Sequence, residues 1–465
     1  MICFKFPASK IVKEEIPIKN IFRQYDIRGI MGQEITDEIF ENIIRAFALY
    51  SHTRGEKTIV IGHDNRKSSP ALHKIAVNAL LNSGFNIIDL GLVITPMFYF
   101  AARHLDIKAG IMITASHNPP EYNGLKLWFG ESTIYGEQIQ EIRKLAEKKE
   151  FLSPQKGSIK KIDIFPEYSS MIQNKIKLGP RKLKIALDCG NGTASLFAPE
   201  IYRQLGCEVI ELYCKSDPDF PNHHPDPVDP KNMQDLALKV KEIGADFGIG
   251  IDGDGDRIGI VDDRGELLWG DMLMILFWRD ILPRYPGTPA IIEVKCSQSL
   301  IDEINRLGGK PIMYKTGHSL IKAKMKEIGA VFTGEMSGHM FFADNYYGFD
   351  DAVYAGARFI ELVSHKTETV SQMLSDVPKY HATPEIRIKS IDEKKWEIVE
   401  KARKHFKKKY KTVDIDGVRV IFSFGWGLIR ASNTGPELIV RCEADSEENL
   451  EKIKEEIFFF LENVN

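Results

Sequence analysis

The stretch DFGIGIDGDGDR, residues 246–257, decides the fold. Its first half is a near-continuous apolar run, which reads as a strand covered on both faces. Its second half sets Asp252, Asp254 and Asp256 on alternate positions of a tight loop, where Gly253 and Gly255 let the backbone fold back on itself. Three monodentate carboxylates just past a strand suit a small divalent cation of the Mg²⁺ type. The competing readings are a solvated acidic turn and a calcium-binding helix-loop-helix. The second needs flanking helices and a Glu at a fixed offset, but here a strand leads in and Glu266 falls in what reads as a hairpin after IVDDRG. Three protein ligands leave coordination positions open, and a phosphate oxygen suits one. Arg257, beside them, is placed to hold a phosphate or organise a nucleophile.

The same pattern occurs three times along the chain. The first copy has strands at KTIVIGHD (57–64), FNIIDLGL (85–92) and GIMITAS (110–116), with helices around 69–82 and 96–105. The second has strands at LKIALDCG (183–190), CEVIELYC (207–214) and DFGIGIDGD (246–254), with helices near 195–206 and 231–243. The third has AIIEVKCS (290–297), KPIMYKTG (310–317) and AVFTGEMSG (330–338), with helices near 298–307 and 319–328. Apolar strands alternating with amphipathic helices predict α/β sheets covered on both faces. Each third strand ends in a loop rich in chemical groups, so three tandem units converge on one central cleft.

The last part differs. Three β-rich runs over 411–443, with helices near 392–409 and 446–464, read as an α+β domain with an antiparallel sheet. The expected units are 1–160, 161–264, 265–378 and 379–465. FPNHHPDPVDP (220–230) is too rich in proline for a helix.

Net charge is −3 and the composition is that of an ordinary globular protein, so neither nucleic-acid nor membrane-surface binding is expected. The six cysteines are scattered with no C-x-x-C pair, which favours reduced thiols over a disulfide or zinc framework. The N-terminal apolar stretch is too short for a signal peptide and no run approaches a membrane span, so the expected compartment is the cytoplasm.

Four further segments carry chemistry. TASHNPP (114–120) presents Ser116 in a polar turn after a strand, with His117 and Asn118 able to donate to an anion. Lys126, in the strand-like GLKLWF, can return to the same place. A hydroxyl that can carry phosphate and a hard-oxygen cation site are two parts that phosphoryl transfer requires. GEMSGH (334–339) offers Glu335 and Ser337 for sugar hydroxyls and His339 for a proton. RASNTGP (430–436) concentrates the donors Arg430, Ser432, Asn433 and Thr434, with Arg441 nearby, which suits a phosphate dianion. FRQYDIRG (22–29) adds Tyr25 and Arg28. Each segment alone is equally well an ordinary polar turn.

Together, and in this order, TASHNPP with its trailing NGLK, DGDGDR, GEMSGH and RASNTGP resemble the α-D-phosphohexomutase family over nearly the whole chain. KTGHS (315–319) and GWGLIRASNT (425–434) are similar to its bacterial bifunctional phosphomannomutase/phosphoglucomutase group. The resemblance implies three mixed α/β/α domains and a fourth with an antiparallel sheet. It implies a phosphorylated Ser116 and one Mg²⁺ per chain on Ser116, Asp252, Asp254 and Asp256. It further implies that Glu335 and Ser337 contact the sugar and that Arg430, Ser432, Asn433 and Thr434 hold its unreactive phosphate. Tyr25, Arg28, His117, Lys126, Arg257, Lys295, His318 and His339 would complete the cleft, with Lys126 and His339 as proton carriers. Lys126 would need a lowered pKa to act as a base. The implied activity interconverts hexose 1- and 6-phosphates of mannose or glucose, in a monomer, with a hexose 1,6-bisphosphate as intermediate and activator. The rivals are a phosphoglucosamine mutase, against which Met336 in GEMSGH argues, a sugar-phosphate sensor without catalysis, and a phosphatase. His63 and Asp226 depart from the family pattern.

Overall fold

The computed structural model describes residues 21–433 and 435–464. Thr434 lies outside the described residues.

Four units follow one another along the chain, and among the described residues they hold five sheets. In the first, Thr58–His63 lies between Ala109–Ile113 and Asn86–Leu92, all parallel, and Ser158–Lys161 extends the parallel side. Tyr122–Phe129 and then Ile27–Ile30 close the other side antiparallel. In the second, Lys184–Asp188 lies between Glu208–Leu212 and Phe247–Ile251, both parallel. Ile258–Val261 then pairs back on Phe247–Ile251, and Leu267–Leu268 pairs back on Ile258–Val261, which is the hairpin expected around Glu266. The third unit is less continuous: Pro289–Glu293 pairs with Lys310–Tyr314, and Phe332–Gly334 pairs with Met340–Phe342. Thr333 bridges the two pieces by donating its hydroxyl to the Ile291 carbonyl at 2.7 Å. The sheet of the fourth unit is wholly antiparallel, with Glu437–Ala444 and Gly425–Ala431 at its centre and Asp392–Phe406 and Glu447–Val464 packed on it. The run KTVDIDGVRVIF divides into Lys411–Val413 and Val418–Phe422.

The first three units share one continuous apolar cluster, from Val60 and Phe98 through Ile249 and Tyr202 to Trp278 and Phe359. They therefore form a single scaffold for the three strand-end loops. The fourth unit has a core of its own around Phe406, Val440 and Ile457. It touches the third through a small patch of Val294, Trp426 and Leu428. Polar bonds supplement that patch: Arg419, stacked on Trp426, donates to the Val294 and Cys296 carbonyls at 2.8 and 3.0 Å. The described cysteines are free, and among the described residues no helix is long and apolar enough to cross a membrane.

Candidate active site

The acidic loop is pinned from all three units of the scaffold. The Thr95 amide donates to the Asp254 carbonyl at 2.8 Å, Thr193 to Gly253 at 2.9 Å, and Ala352 to Gly255 at 3.1 Å. Within the loop, Asp252 Oδ1 accepts from the amides of Gly255, Asp256 and Arg257 at 3.0 to 3.1 Å. Gly255 takes φ +81°, a conformation that glycine adopts without cost.

Ser116 meets this loop directly. Its Oγ donates to Asp252 Oδ2 at 2.7 Å, and its backbone sits in the left-handed region at φ 51°, a strained position for a serine. The strain is held by a residue that sequence reasoning passed over. Arg66 is fully buried and donates to the carbonyls of Ser116, Asn118, Pro119 and Tyr122. Asp64 braces Arg66 at 3.3 Å, while the neighbouring His63 is turned to the Asp64 carbonyl. The GHDNR segment thus acts as a strut under the serine loop.

The side-chain oxygens of Asp252, Asp254 and Asp256 approach within 4.8 Å of one another. Lys126 reaches Asp254 Oδ2 at 2.7 Å and also contacts Asp256 Oδ2. Thr95 and Thr114 donate to the same Asp254 oxygen at 2.6 and 3.1 Å. The other oxygen of each, Asp254 Oδ1 and Asp256 Oδ1, is buried with no hydrogen-bond partner. Burial, then repulsion from Asp254 and Asp256, pushes the Asp252 carboxyl well above the ordinary range. Crowded carboxylates with orphaned oxygens are the donor set a hard cation satisfies. Burial works to lower the Lys126 ammonium, but Asp254 and Asp256 raise it above the ordinary value. The lowered pKa required of a base is therefore absent, because two carboxylates face the amine.

A cavity of about 1810 Å³ opens above this cluster, lined by Tyr25, Arg28, His117, Lys126, Arg257, Lys295, His318, Glu335, Ser337, His339, Arg430, Ser432 and Asn433. Ser116 and the three aspartates lie beneath His117, Lys126 and Arg257 and are buried. Arg257 donates Nε–H to His339 Nε2 at 3.0 Å and lies 3.4 Å from His117 Nε2. Arg28 is held by Asp26 and by Asn118 Oδ1, each at 2.6 Å. Tyr25 packs edge-on against His318, whose ring stacks on His339. Burial and then Asp26 push the Tyr25 phenol up to about 12. Glu335 accepts from the Gly317 amide at 2.6 Å.

Across the cavity, Arg430 Nε donates to Asp416 at 3.0 Å while its Nη2 is buried without a hydrogen bond. Asn433 donates to the Thr316 carbonyl at 3.3 Å, and Lys395 to the Ser432 carbonyl at 2.8 Å. Lys295 is paired with Glu385 at 2.9 Å, and Arg441 contacts the Lys295 carbonyl. Asp226, the second departure, lines the cavity and supports the charge of Arg257 against burial. Sequence reasoning also missed Asp350 and Lys322, buried behind the two histidines.

Four family profiles cover the chain in order: phosphoglucomutase/phosphomannomutase alpha/beta/alpha domain I over residues 19–153, domain II over 166–265, domain III over 269–380, and the C-terminal domain over 385–458. The chain is similar to the phosphomannomutase/phosphoglucomutase of Pseudomonas aeruginosa, 45% identical over 94% of each chain. It is 43% identical to the phosphoglucomutase of Neisseria gonorrhoeae over 94% of this chain and 95% of that one. Its structure matches that of a phosphoglucomutase/phosphomannomutase family protein from Burkholderia thailandensis, with TM-score 0.89 and 38% identity, over 96% of this chain and 98% of that one.

Proposed function

Since the chain belongs to the phosphoglucomutase/phosphomannomutase family, we propose that it interconverts hexose 1-phosphates and hexose 6-phosphates of mannose and glucose through a phosphorylated Ser116. The Oγ–P bond of phosphoserine breaks as an O–P bond forms to the free sugar hydroxyl, which gives a hexose 1,6-bisphosphate. After the sugar reorients, its other phosphoryl group returns to Ser116. The same bisphosphate, supplied from outside, serves as activator.

Asp252, Asp254 and Asp256 would hold a Mg²⁺ ion, which when bound offsets charge on the transferring phosphoryl group. Arg257 and Lys126 add positive charge from the cleft side. Lys126, kept protonated by its two aspartates, serves as proton donor and charge partner. His339 Nε2 takes the hydroxyl proton once Arg257, which donates to it before substrate binds, turns to the transferring phosphoryl group. Arg430 supplies its unpartnered Nη2 to the unreactive phosphate together with Ser432 and Asn433, and Thr434 is assigned the same role from the sequence alone. Glu335 and Ser337 read the hydroxyls that glucose and mannose share. Tyr25, Arg28, His117, Lys295 and His318 line the path along which the sugar turns. The separate core of the fourth unit suits a closure that excludes water from phosphoserine. The chain is divided at 160, 264 and 378, and works as a cytoplasmic monomer.

The observation that carries this proposal is the 2.7 Å bond from Ser116 Oγ to Asp252, in a cluster whose neighbouring carboxylates hold orphaned oxygens. The test joins intact mass to a coupled assay with mannose 1-phosphate and glucose 1-phosphate, primed with bisphosphate. A phosphate adduct that vanishes in Ser116→Ala, with turnover lowered more than about 10³-fold, is expected. Undiminished turnover in that variant refutes the donor role. Sugar-phosphate binding with no adduct and no turnover would favour a sensor.

A further inference from the structure

We propose that Asp350, backed by Lys322, is the positioning residue that fixes the tautomer of His339, leaving Nε2 unprotonated as the acceptor that faces Arg257. This deepens the function proposed above and rests on it for the role of His339.

Asp350 lies in the segment after Met340–Phe342, held by a bridge to Phe341, and is fully buried. Its two oxygens are divided between opposite kinds of neighbour. Oδ1 accepts from Lys322 Nζ at 2.8 Å. Oδ2 lies 2.9 Å from His339 Nδ1 and 3.5 Å from His318 Nδ1. All three atoms are buried, and their closeness is an ion-pair approach rather than a formed hydrogen bond. Asp256 Oδ1 also faces His339 Nδ1, at 3.7 Å.

The opposite edge of the ring requires the same tautomer. Arg257 donates Nε–H to His339 Nε2 at 3.0 Å. A guanidinium has no lone pair to offer, so Nε2 must be the acceptor and the single proton of the neutral imidazole sits on Nδ1. Nδ1–H then has the Asp350 carboxylate as its nearest acceptor, at 2.9 Å. Such a carboxylate partner fixes both tautomer and ring orientation. Lys322 in turn fixes the carboxylate, because an ammonium requires an acceptor on that side.

This arrangement makes Asp350→Asn informative. Lys322 claims the amide oxygen, so the amide NH₂ faces His339 Nδ1 and donates to it, which drives the ring proton to Nε2. Two donors, Nε2–H and Arg257 Nε–H, then oppose each other. Adding Lys322→Met frees the amide to turn its oxygen back toward His339.

The test is a long-range ¹H–¹⁵N spectrum of the full chain labelled with ¹⁵N-histidine, with Mg²⁺ added and His339 assigned from a His339→Gln sample. The expected wild type has Nδ1 protonated and Nε2 bare. Asp350→Asn is expected to reverse this and the double variant to restore it. In parallel, kcat of Asp350→Asn should fall about 10–100-fold with KM within about twofold. An Nε2–H wild type overturns the assignment, and so does an unchanged tautomer in Asp350→Asn. A reversed tautomer with unchanged kcat upholds Asp350 as the positioning residue but removes His339 from the reaction, so the two proposals fail separately. The wild-type spectrum decides the tautomer even where Asp350→Asn folds poorly.

Discussion

The carbonyl oxygen of Ser116 lies 2.5 Å from the point where a Cβ on Gly253 would stand. The serine loop and the acidic loop therefore touch backbone to backbone, and that closeness lets Ser116 Oγ reach Asp252. Gly253→Ala cannot be absorbed by a side-chain rotation, because the atom in the way is main chain held by Arg66. The variant is expected to lose about 1–3 kcal/mol of stability and to turn over at least about 10²-fold more slowly. Urea unfolding and the coupled assay measure the two effects. Wild-type turnover in this variant would mean that the two loops need not touch.

Cation binding has a readout that does not depend on turnover. Three buried carboxylates share one pocket, and a cation between them stabilises the folded state by mass action. Mg²⁺ should raise the melting temperature of the wild type, and EDTA should reverse the rise. In Asp254→Asn the rise should largely disappear, along with most of the turnover. An equal Mg²⁺-induced rise in both proteins would place the ion elsewhere.

How far these features were legible in the sequence depends on how local they are. The strands and helices of the three repeats follow from periodicity, and the helix read around 69–82 is Ser69–Asn82. The acidic loop and the serine turn are contiguous segments, so their chemistry is visible in the residues. The supports of the site are not contiguous. Arg66 acts on carbonyls some fifty residues further along the chain, at 2.7 Å from that of Ser116. Asp350 answers Lys322 from another element. Nothing in periodicity marks a buried ion pair formed across elements. Lys126 shows the same limit, because its pKa is set by aspartates from a different unit.

Asp351, next to Asp350, sets a pH dependence of stability. Burial raises its carboxyl to about 6, although the Tyr346 and Tyr168 hydroxyls donate to it and oppose the shift. An unfolded Asp titrates near 3.8. A raised acid contributes stability that is fully present below the unfolded value and is lost as pH rises through the folded one. Between about pH 4 and 6 the wild type should therefore lose on the order of 2–3 kcal/mol relative to Asp351→Asn. The difference in unfolding free energy between the two proteins isolates this group from every other titration. A difference that stays flat across that window would mean Asp351 is ionised throughout.

Arg430 offers the sharpest division between binding and chemistry. Its Nε is committed to Asp416, which also accepts from the Thr316 amide at 3.0 Å, so the guanidinium plane is fixed before any ligand arrives. Its Nη2 is then aimed without a partner, and a phosphate oxygen there would form a charge-assisted bond. Losing such a bond costs about 1.5–3 kcal/mol, or roughly 10–100-fold in kcat/KM. Arg430→Met should show that loss, mostly in KM, because the phosphate it holds is not the one transferred. Arg430→Lys keeps the charge but not the fork, and should fall between. The phosphate adduct on Ser116 should persist in both, since the donor site belongs to other units. An unchanged KM in Arg430→Met would shift the anion site to Lys295 and Arg441, two further cations that line the cleft.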